Sequence, residues 1–305
     1  MLAIAGTIPE EEFPLVEGEV FLETDNLRAG GRRVPVDRGT PALLAAAIKA
    51  GEILDLPPPY GYLVGDIGLG DGSRNLYEHL VRNLPCSALS AIVFHYLQPD
   101  VDWHNKVFFA IEEMNPRPTL IADAGFMYAA KMSGQAGAYD LFTPDAGELA
   151  FLADEEAPHP FYTRGFILHD ENSIPDLIMR AYDHNNAAQY LLVKGGQDYV
   201  ASREGVHDLI DSPVDEALEA MGGTGDTLTG IVSALIASGM EILEAAVLGA
   251  RINRLAGHYA CPTPASQVME MITHIPRAME EILEERREKT WAGTQSMKKE
   301  PLTQT

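Results

Sequence analysis

The chain has 305 residues, 46% hydrophobic and 22% charged, which suffices for a sizeable core and excludes a disordered composition. Its formal net charge of −23 argues against nucleic acid or an anionic membrane as partner, because like charges repel over the Debye length. An anionic nucleotide is still admissible where backbone N–H groups, a few cations or Mg²⁺ gather in one place. The start, Met1-Leu2-Ala3-Ile4-Ala5-Gly6 and then Glu10-Glu11-Glu12, lacks the basic n-region and long apolar core of a signal peptide. Residues 7 to 40 are rich in Pro, Gly and charge, with a short strand at Glu19–Leu22, and the first 38 residues read as an irregular segment. From Pro41 a clear alternation begins: helix from Pro41 to Ile48, strand Tyr62–Val64, helix Arg74–Asn83, strand Ala91–Phe94, helix Trp103–Met114 and strand Thr119–Ala122. A strand over Asp140-Leu141-Phe142, helices Ala146–Ala153 and Ile174–Asn185, and strand Tyr190–Val193 continue it. The last helices fall at Thr227–Ala237, Ile242–Tyr259 and Ser266–Arg286, and a polar, mobile tail occupies residues 288–305.

Short apolar runs separated by amphipathic helices predict a mainly parallel sheet covered on both faces. No composition break divides the chain, so residues 1–287 read as one α/β domain. The longest strongly apolar stretch, Thr227 to Met240, has 14 residues and suits a buried helix instead of a membrane span. Cys86 and Cys261 form neither a disulfide framework nor a metal-ligand cluster, which fits two thiols in a reducing cytoplasm.

Ligands of open parallel sheets bind beyond the carboxyl ends of the strands. Those ends carry Gly65-Asp66-Ile67-Gly68-Leu69-Gly70-Asp71-Gly72-Ser73, then His95, Asp123, Thr143 with Glu148, and Lys194-Gly195-Gly196. The Gly65–Ser73 string looks like a phosphate loop but lacks the lysine and spacing of a Walker A motif. Gly222-Gly223-Thr224-Gly225 leads into a helix whose Leu228, Ile231, Val232, Leu235 and Ile236 mark one buried face. Glycines at a helix N-terminus can turn N–H groups toward an anion, and the dipole adds about half a positive charge. Asp226 would then sit beside the phosphate, placed to take a proton from an attacking hydroxyl. A glycine-rich turn with Thr224 or Asp226 as an ordinary cap fits the local residues equally well. Lys194 suits either a nucleotide phosphate or the surface. Glu148 suits either Mg²⁺ held through water or the helix dipole. His95 reads more readily as a satisfied, partly buried histidine than as a catalytic one.

Together these segments resemble the ribokinase-like superfamily, whose three-layer α/β/α fold has a mainly parallel central sheet, and within it the ADP/ATP-dependent NAD(P)H-hydrate dehydratases. Ala220-Met221-Gly222-Gly223-Thr224-Gly225-Asp226-Thr227-Leu228-Thr229-Gly230-Ile231 resembles the family's anion-hole and catalytic-aspartate segment, and Phe142 through Leu149 its Thr-Pro-His-Pro-Gly-Glu stretch. Leu192-Val193-Lys194-Gly195 and Ile121-Ala122-Asp123-Ala124 are similar to its Val-Leu-Lys-Gly and Asp-Ala-Asp segments, and the likeness spans roughly residues 39 to 285. The resemblance implies Asp226 as catalytic base, an anion hole of Gly223, Thr224 and Gly225, and nucleotide contacts from Lys194, Gly195, Gly222 and Thr143. It further implies Glu148 supporting Mg²⁺ through water, Asp123 and His95 toward the substrate, and ATP or ADP phosphorylating a hydroxyl whose phosphate is then lost. Superfamily members often self-associate, which allows a homo-oligomer. The family's Gly-Pro-Gly-Leu-Gly loop is replaced by Phe94-His95-Tyr96-Leu97-Gln98, its histidine by Asp145, and its Gly-Ser helix start by Gly39-Thr40. The phosphate half of the site is kept and the acceptor half is rebuilt. A small-molecule kinase, for a sugar or vitamin-like alcohol, or a non-catalytic nucleotide-binding relative are therefore the alternatives.

Overall fold

Successive side chains of the central strands go to opposite faces, as a sheet buried on both sides requires. In β1 (Leu2–Ile8), Leu2 and Ile4 pack into one core layer while Ala3 and Ala5 pack into the other. We describe this architecture from a computed structural model covering residues 1–84, 88–155 and 173–297, with side chains to residue 288. Cys86 and residues 298–305 of the expected tail lie outside the described residues.

After β1 come β2 (Val16–Glu19), β3 (Phe21–Glu23), β4 (Asn26–Ala29) and β5 (Arg32–Pro35), then α1 (Thr40–Ile53) and β6 (Tyr60–Gly65). The chain alternates through α2 (Asp71–Asn83), β7 (Ala91–His95), α3 (Val101–Glu112), β8 (Thr119–Ala122), α4 (Gly125–Met132), β9 (Leu141–Phe142) and α5 (Ala146–Ala153). Next are α6 (Ile174–Asp183), β10 (Tyr190–Val193), β11 (Asp198–Ser202) and β12 (Gly205–Ile210). The C-terminal part is helical: α7 (Ala217–Ala220), α8 (Thr224–Ala237), α9 (Ile242–Tyr259), α10 (Val268–Ile272) and α11 (Ile275–Met297).

Nine strands form one sheet in the order β12-β11-β10-β9-β8-β7-β1-β6-β2. The six from β10 to β6 run parallel, and the edges β2 and β11–β12 are antiparallel. Residues of α1, α8, α9, α10 and α11 fill the core on one face, and those of α2 to α6 fill the other. This is the expected ribokinase-like three-layer α/β/α arrangement. Each fully buried Leu, Ile or Phe in these layers contributes about 1.5–3 kcal/mol of apolar burial. Gly230 lets α8 lie against α1, because a Cβ there would stand 2.3 Å from the Leu43 carbonyl oxygen. That contact fixes the start of α8 beside the start of α1, where the candidate site lies. Among the described residues no helix is long and apolar enough to cross a membrane.

Several sequence expectations change. The N-terminal segment is not irregular: β1 lies inside the sheet between β6 and β7, and β3-β4-β5 form a separate antiparallel sheet. The small side chains of Ala3, Ala5 and Gly6 disguised a central strand. The strand expected at Glu19–Leu22 is broken at Val20, whose N–H bonds the Pro59 carbonyl as the chain leaves one sheet for the other. Helix α8 begins at Thr224, three residues before its apolar run, because Gly223 adopts φ 100° and turns the chain into the helix. The single helix expected over Ser266–Arg286 is two, parted at Thr273-His274 ahead of Pro276. Helix continues to Met297, into the stretch expected to be a tail. The α4 helix and the β11–β12 hairpin escaped the sequence reading.

Candidate active site

The carboxyl ends of β7, β8 and β10 deliver His95, Asp123 and Lys194 to the N-terminus of α8. The αL glycine Gly223 opens that helix, so the N–H groups of Thr224, Gly225 and Asp226 belong to a first turn without backbone partners. Gly223 must be small as well as left-handed: a Cβ would lie 3.2 Å from both Arg38 Cα and Val268 Cγ2. Asn253 of α9 braces the turn, donating to the Thr224 carbonyl at 3.1 Å and accepting from the Thr227 hydroxyl at 2.7 Å.

Asp226 is gripped at both oxygens. Oδ2 accepts from the Gly39 N–H at 2.6 Å, and Oδ1 lies 3.1 Å from His95 Nε2. Nδ1 of the same ring lies 3.0 Å from the Thr40 hydroxyl. Asp123 is only 1% exposed, and its two oxygens accept from Lys194 Nζ at 2.9 and 2.8 Å. It also accepts from the Thr229 hydroxyl at 2.6 Å and the Ala124 N–H at 2.8 Å. Ligand atoms of His95, Asp123 and Asp226 lie within 4.8 Å of one another, a metal-like spacing. Lys194 already neutralises Asp123, and Asp226 already accepts at both oxygens, so the cluster closes with the protein's own donors.

Burial alone would raise the Asp226 carboxyl. The His95 bond and charge, then Lys194 and the Gly39 N–H, outweigh it and hold the group below the ordinary carboxylate range. Burial alone would lower Lys194, but the charges of Asp123, Glu148 and Asp226 hold it well above the usual lysine value. Glu148 behaves oppositely. Burial first and the Asp123 charge second push it up to about 8.

A cleft of about 500 Å³ opens in front of these groups, lined by Tyr96, Asp123, Lys194, Gly195 and Gly223 through Asp226. Asp145, Asp215, Glu216 and Glu219 add negative charge to its walls. Its cations are paired: Lys194 with Asp123, and Arg254 with Asp198 at 2.7 Å. Arg254 also donates to the carbonyls of Gly195 and Gly196 at 3.0 Å, shaping the floor.

Of the residues expected from sequence, Asp226, Gly223, Thr224, Gly225, Lys194, Gly195, Glu148 and Asp123 come together around this cleft. Thr143 does not reach it: the residue is fully buried, its hydroxyl 3.0 Å from that of Thr229. His95 is also fully buried, behind Asp226. Gly222 sits to one side, where a Cβ would meet Arg38 Cδ at 3.6 Å. Glu148 closes a capping box with Asp145, each backbone N–H donating to the other's side chain at 2.8 Å. That geometry suits the helix-dipole reading, although the side chain also lines the cleft. The Gly65–Ser73 string is no phosphate loop here. Asp66 already takes the N–H groups of Gly68, Gly70 and Ser73 and the Ser73 hydroxyl.

Sequence reasoning missed Thr229, Asn253, Arg254 and Asp198. Thr229 was findable, since three residues beyond Asp226 it falls on the same helix face. The others come from distant elements and leave no local signal. Tyr96, which lines the cleft, adopts φ 55°, is 49% exposed and stacks edge-on against His95 at 4.5 Å.

Comparison with known proteins bears on this site. The NAD(P)H-hydrate dehydratase family model matches residues 97–277, more than half of the chain. An uncharacterized protein of Methanocaldococcus jannaschii is 42% identical over 242 residues, 79% of this chain and all of that protein. The bifunctional NAD(P)H-hydrate repair enzyme of Pyrobaculum aerophilum is 27% identical over 92% of this chain, which spans only 50% of that enzyme. The ADP-dependent (S)-NAD(P)H-hydrate dehydratase of Xanthomonas campestris is 25% identical over 79% of this chain and 75% of its own. Among solved structures, a ribokinase-like superfamily protein of Enterococcus faecalis superposes with a TM-score of 0.54 at 12% identity, over 92% of this chain and 87% of that one. The chain belongs to the NAD(P)H-hydrate dehydratase family and carries its ribokinase-like fold.

Proposed function

We propose that this protein is a nucleotide-dependent NAD(P)H-hydrate dehydratase, transferring a phosphoryl group from ADP or ATP to the substrate hydroxyl and then eliminating phosphate. The observation that carries this reading is the placement of Asp226 in the first turn of α8, lining the cleft beside the unpartnered N–H groups of Thr224 and Gly225. The nucleotide lies along Lys194-Gly195 with its terminal phosphate at Gly223–Gly225. Asp226 takes the proton of the substrate hydroxyl as that oxygen bonds phosphorus and the bond to the departing nucleotide oxygen breaks. Loss of the new phosphate, with release of a proton from the neighbouring ring carbon to solvent, then re-forms the double bond of the nicotinamide ring. Oriented N–H donors are worth on the order of 10²–10³ in rate each, and a placed base about 10²–10⁴.

Mg²⁺ fits this cleft. Its acidic walls repel a polyphosphate, and its lysine and arginine are already paired. Glu148 would hold the ion through water, and the ion would neutralise phosphate charge.

Incubation with hydrated NADH, Mg²⁺ and ADP or ATP should restore NADH absorbance; no recovery with either nucleotide rejects the reading. The bulky Tyr96 wall favours one alternative, a kinase of the same fold acting on another alcohol. In that case nucleotide consumption depends on one member of a panel of sugar and vitamin-like alcohols.

A further inference from the structure

We infer that His95 is the positioning residue of Asp226: its Nε2–H holds the carboxylate in place, and the Thr40 hydroxyl orients the ring from its other nitrogen. The inference rests on the reading of Asp226 as the proton acceptor and adds the group that prepares it.

The ring is fully buried and both its nitrogens have partners, Asp226 Oδ1 at 3.1 Å and the Thr40 hydroxyl at 3.0 Å. An ionised carboxylate has no hydrogen to give, so the hydrogen between it and the ring is on Nε2. Nδ1 is paired with the Thr40 hydroxyl, which fixes the plane of the ring from its other side. With Gly39 N–H on Oδ2 at 2.6 Å, the carboxylate is held from the end of β7 and from the start of α1 at once. When Asp226 takes the hydroxyl proton, that proton stays on the carboxyl, because Nε2 already carries one. The ring steers and stabilises; it does not accept.

The other titratable groups facing Asp226 are Lys194 beyond β10, Asp123 beyond β8 and Tyr96 after β7. Lys194 is tied to Asp123. Two donors therefore bond Asp226 directly, one at each oxygen, and the ring contributes more than the Gly39 amide to keeping the carboxylate ionised. Loss of the ring would leave Oδ1 bare in a site that already disfavours charge.

The test compares wild type with His95→Gln, whose amide can donate where Nε2–H did, and His95→Leu, which cannot. The Asp226 carboxyl is titrated by ¹³C NMR, assigned with Asp226→Asn, and the acid limb of kcat/KM is followed where turnover is found. In His95→Leu the midpoint should rise by about one pH unit, roughly tenfold in proton affinity. In His95→Gln it should stay within about 0.3 of wild type, on the same principle. A Leu variant that titrates like wild type, or a Gln variant that shifts as far as Leu, overturns the inference. Should the Leu variant not fold, the wild-type imidazole ¹⁵N spectrum decides: hydrogen on Nε2 supports the assignment, and hydrogen on Nδ1 alone overturns it. The titration needs no substrate. Failure to restore NADH would sink the proposed reaction and leave this measurement standing.

Discussion

Replacing Lys194 by Met removes the ammonium that both Asp123 oxygens accept from, at 2.9 and 2.8 Å. Asp123 is 1% exposed, so little solvent reaches it to replace that donor. Breaking a buried ion pair from one side costs about 3–5 kcal/mol, because the remaining charge is left uncompensated. The Thr229 hydroxyl and the Ala124 N–H still donate to Asp123, which lowers the expected loss to about 2–4 kcal/mol. Urea unfolding at neutral pH measures it. Asp123→Asn in the same chain should return most of the stability, since an amide leaves no charge to compensate. A single variant that loses less than about 0.5 kcal/mol would refute the reasoning, because it would place the pair among weak surface ion pairs. The restored double variant then isolates function. If Lys194 also meets nucleotide phosphate, its nucleotide KM rises although its fold is sound.

Gly223→Ala forces a Cβ onto φ 100° and to 3.2 Å from Arg38 Cα and Val268 Cγ2; nucleotide-dependent turnover should fall on the order of 10²-fold with an unchanged far-ultraviolet spectrum. His104 is fully buried between Tyr139 and Ser133, and burial pushes it down to about 4. The folded chain thus binds that proton less readily than the unfolded chain. Stability present above about pH 6.5 is lost as pH falls toward 4, about 2 kcal/mol of it between pH 7 and 5, and His104→Phe should flatten that slope in paired unfolding curves. Glu148 is shifted the other way, to about 8. Its contribution is complete below about pH 4.5 and lost as pH rises through 8. Glu148→Gln should therefore gain on the order of 1–2 kcal/mol over wild type at pH 9 and nothing at pH 4, read from thermal or urea unfolding.

The layers of this fold were legible because apolar periodicity speaks locally. Tyr190–Val193 and Ile242–Tyr259 have the bounds their patterns suggest. What periodicity cannot convey is partnership across the sheet. Leu2–Ile8 looked like a weak apolar start because Ala and Gly suit a strand wedged between two neighbours, where Gly6 must clear Thr40 and the His95 carbonyl. The anion niche was legible from glycine followed by Thr-Gly-Asp at a helix start. The bracing of that niche was not. Gly39 is 187 residues from Asp226, and His95 is 131 away. Lys194 read as a phosphate ligand because a strand-end lysine faces a cleft, whereas its nearest charge is a buried aspartate on the next-but-one strand.

The central claim is that the first turn of α8 receives the nucleotide phosphate. Titration of isotope-labelled protein with ADP or ATP and Mg²⁺, followed through the backbone amides, tests it directly. The largest shifts should fall on Gly223, Thr224 and Gly225 and vanish in Gly223→Ala. Saturable binding that leaves those three amides unmoved would contradict the account.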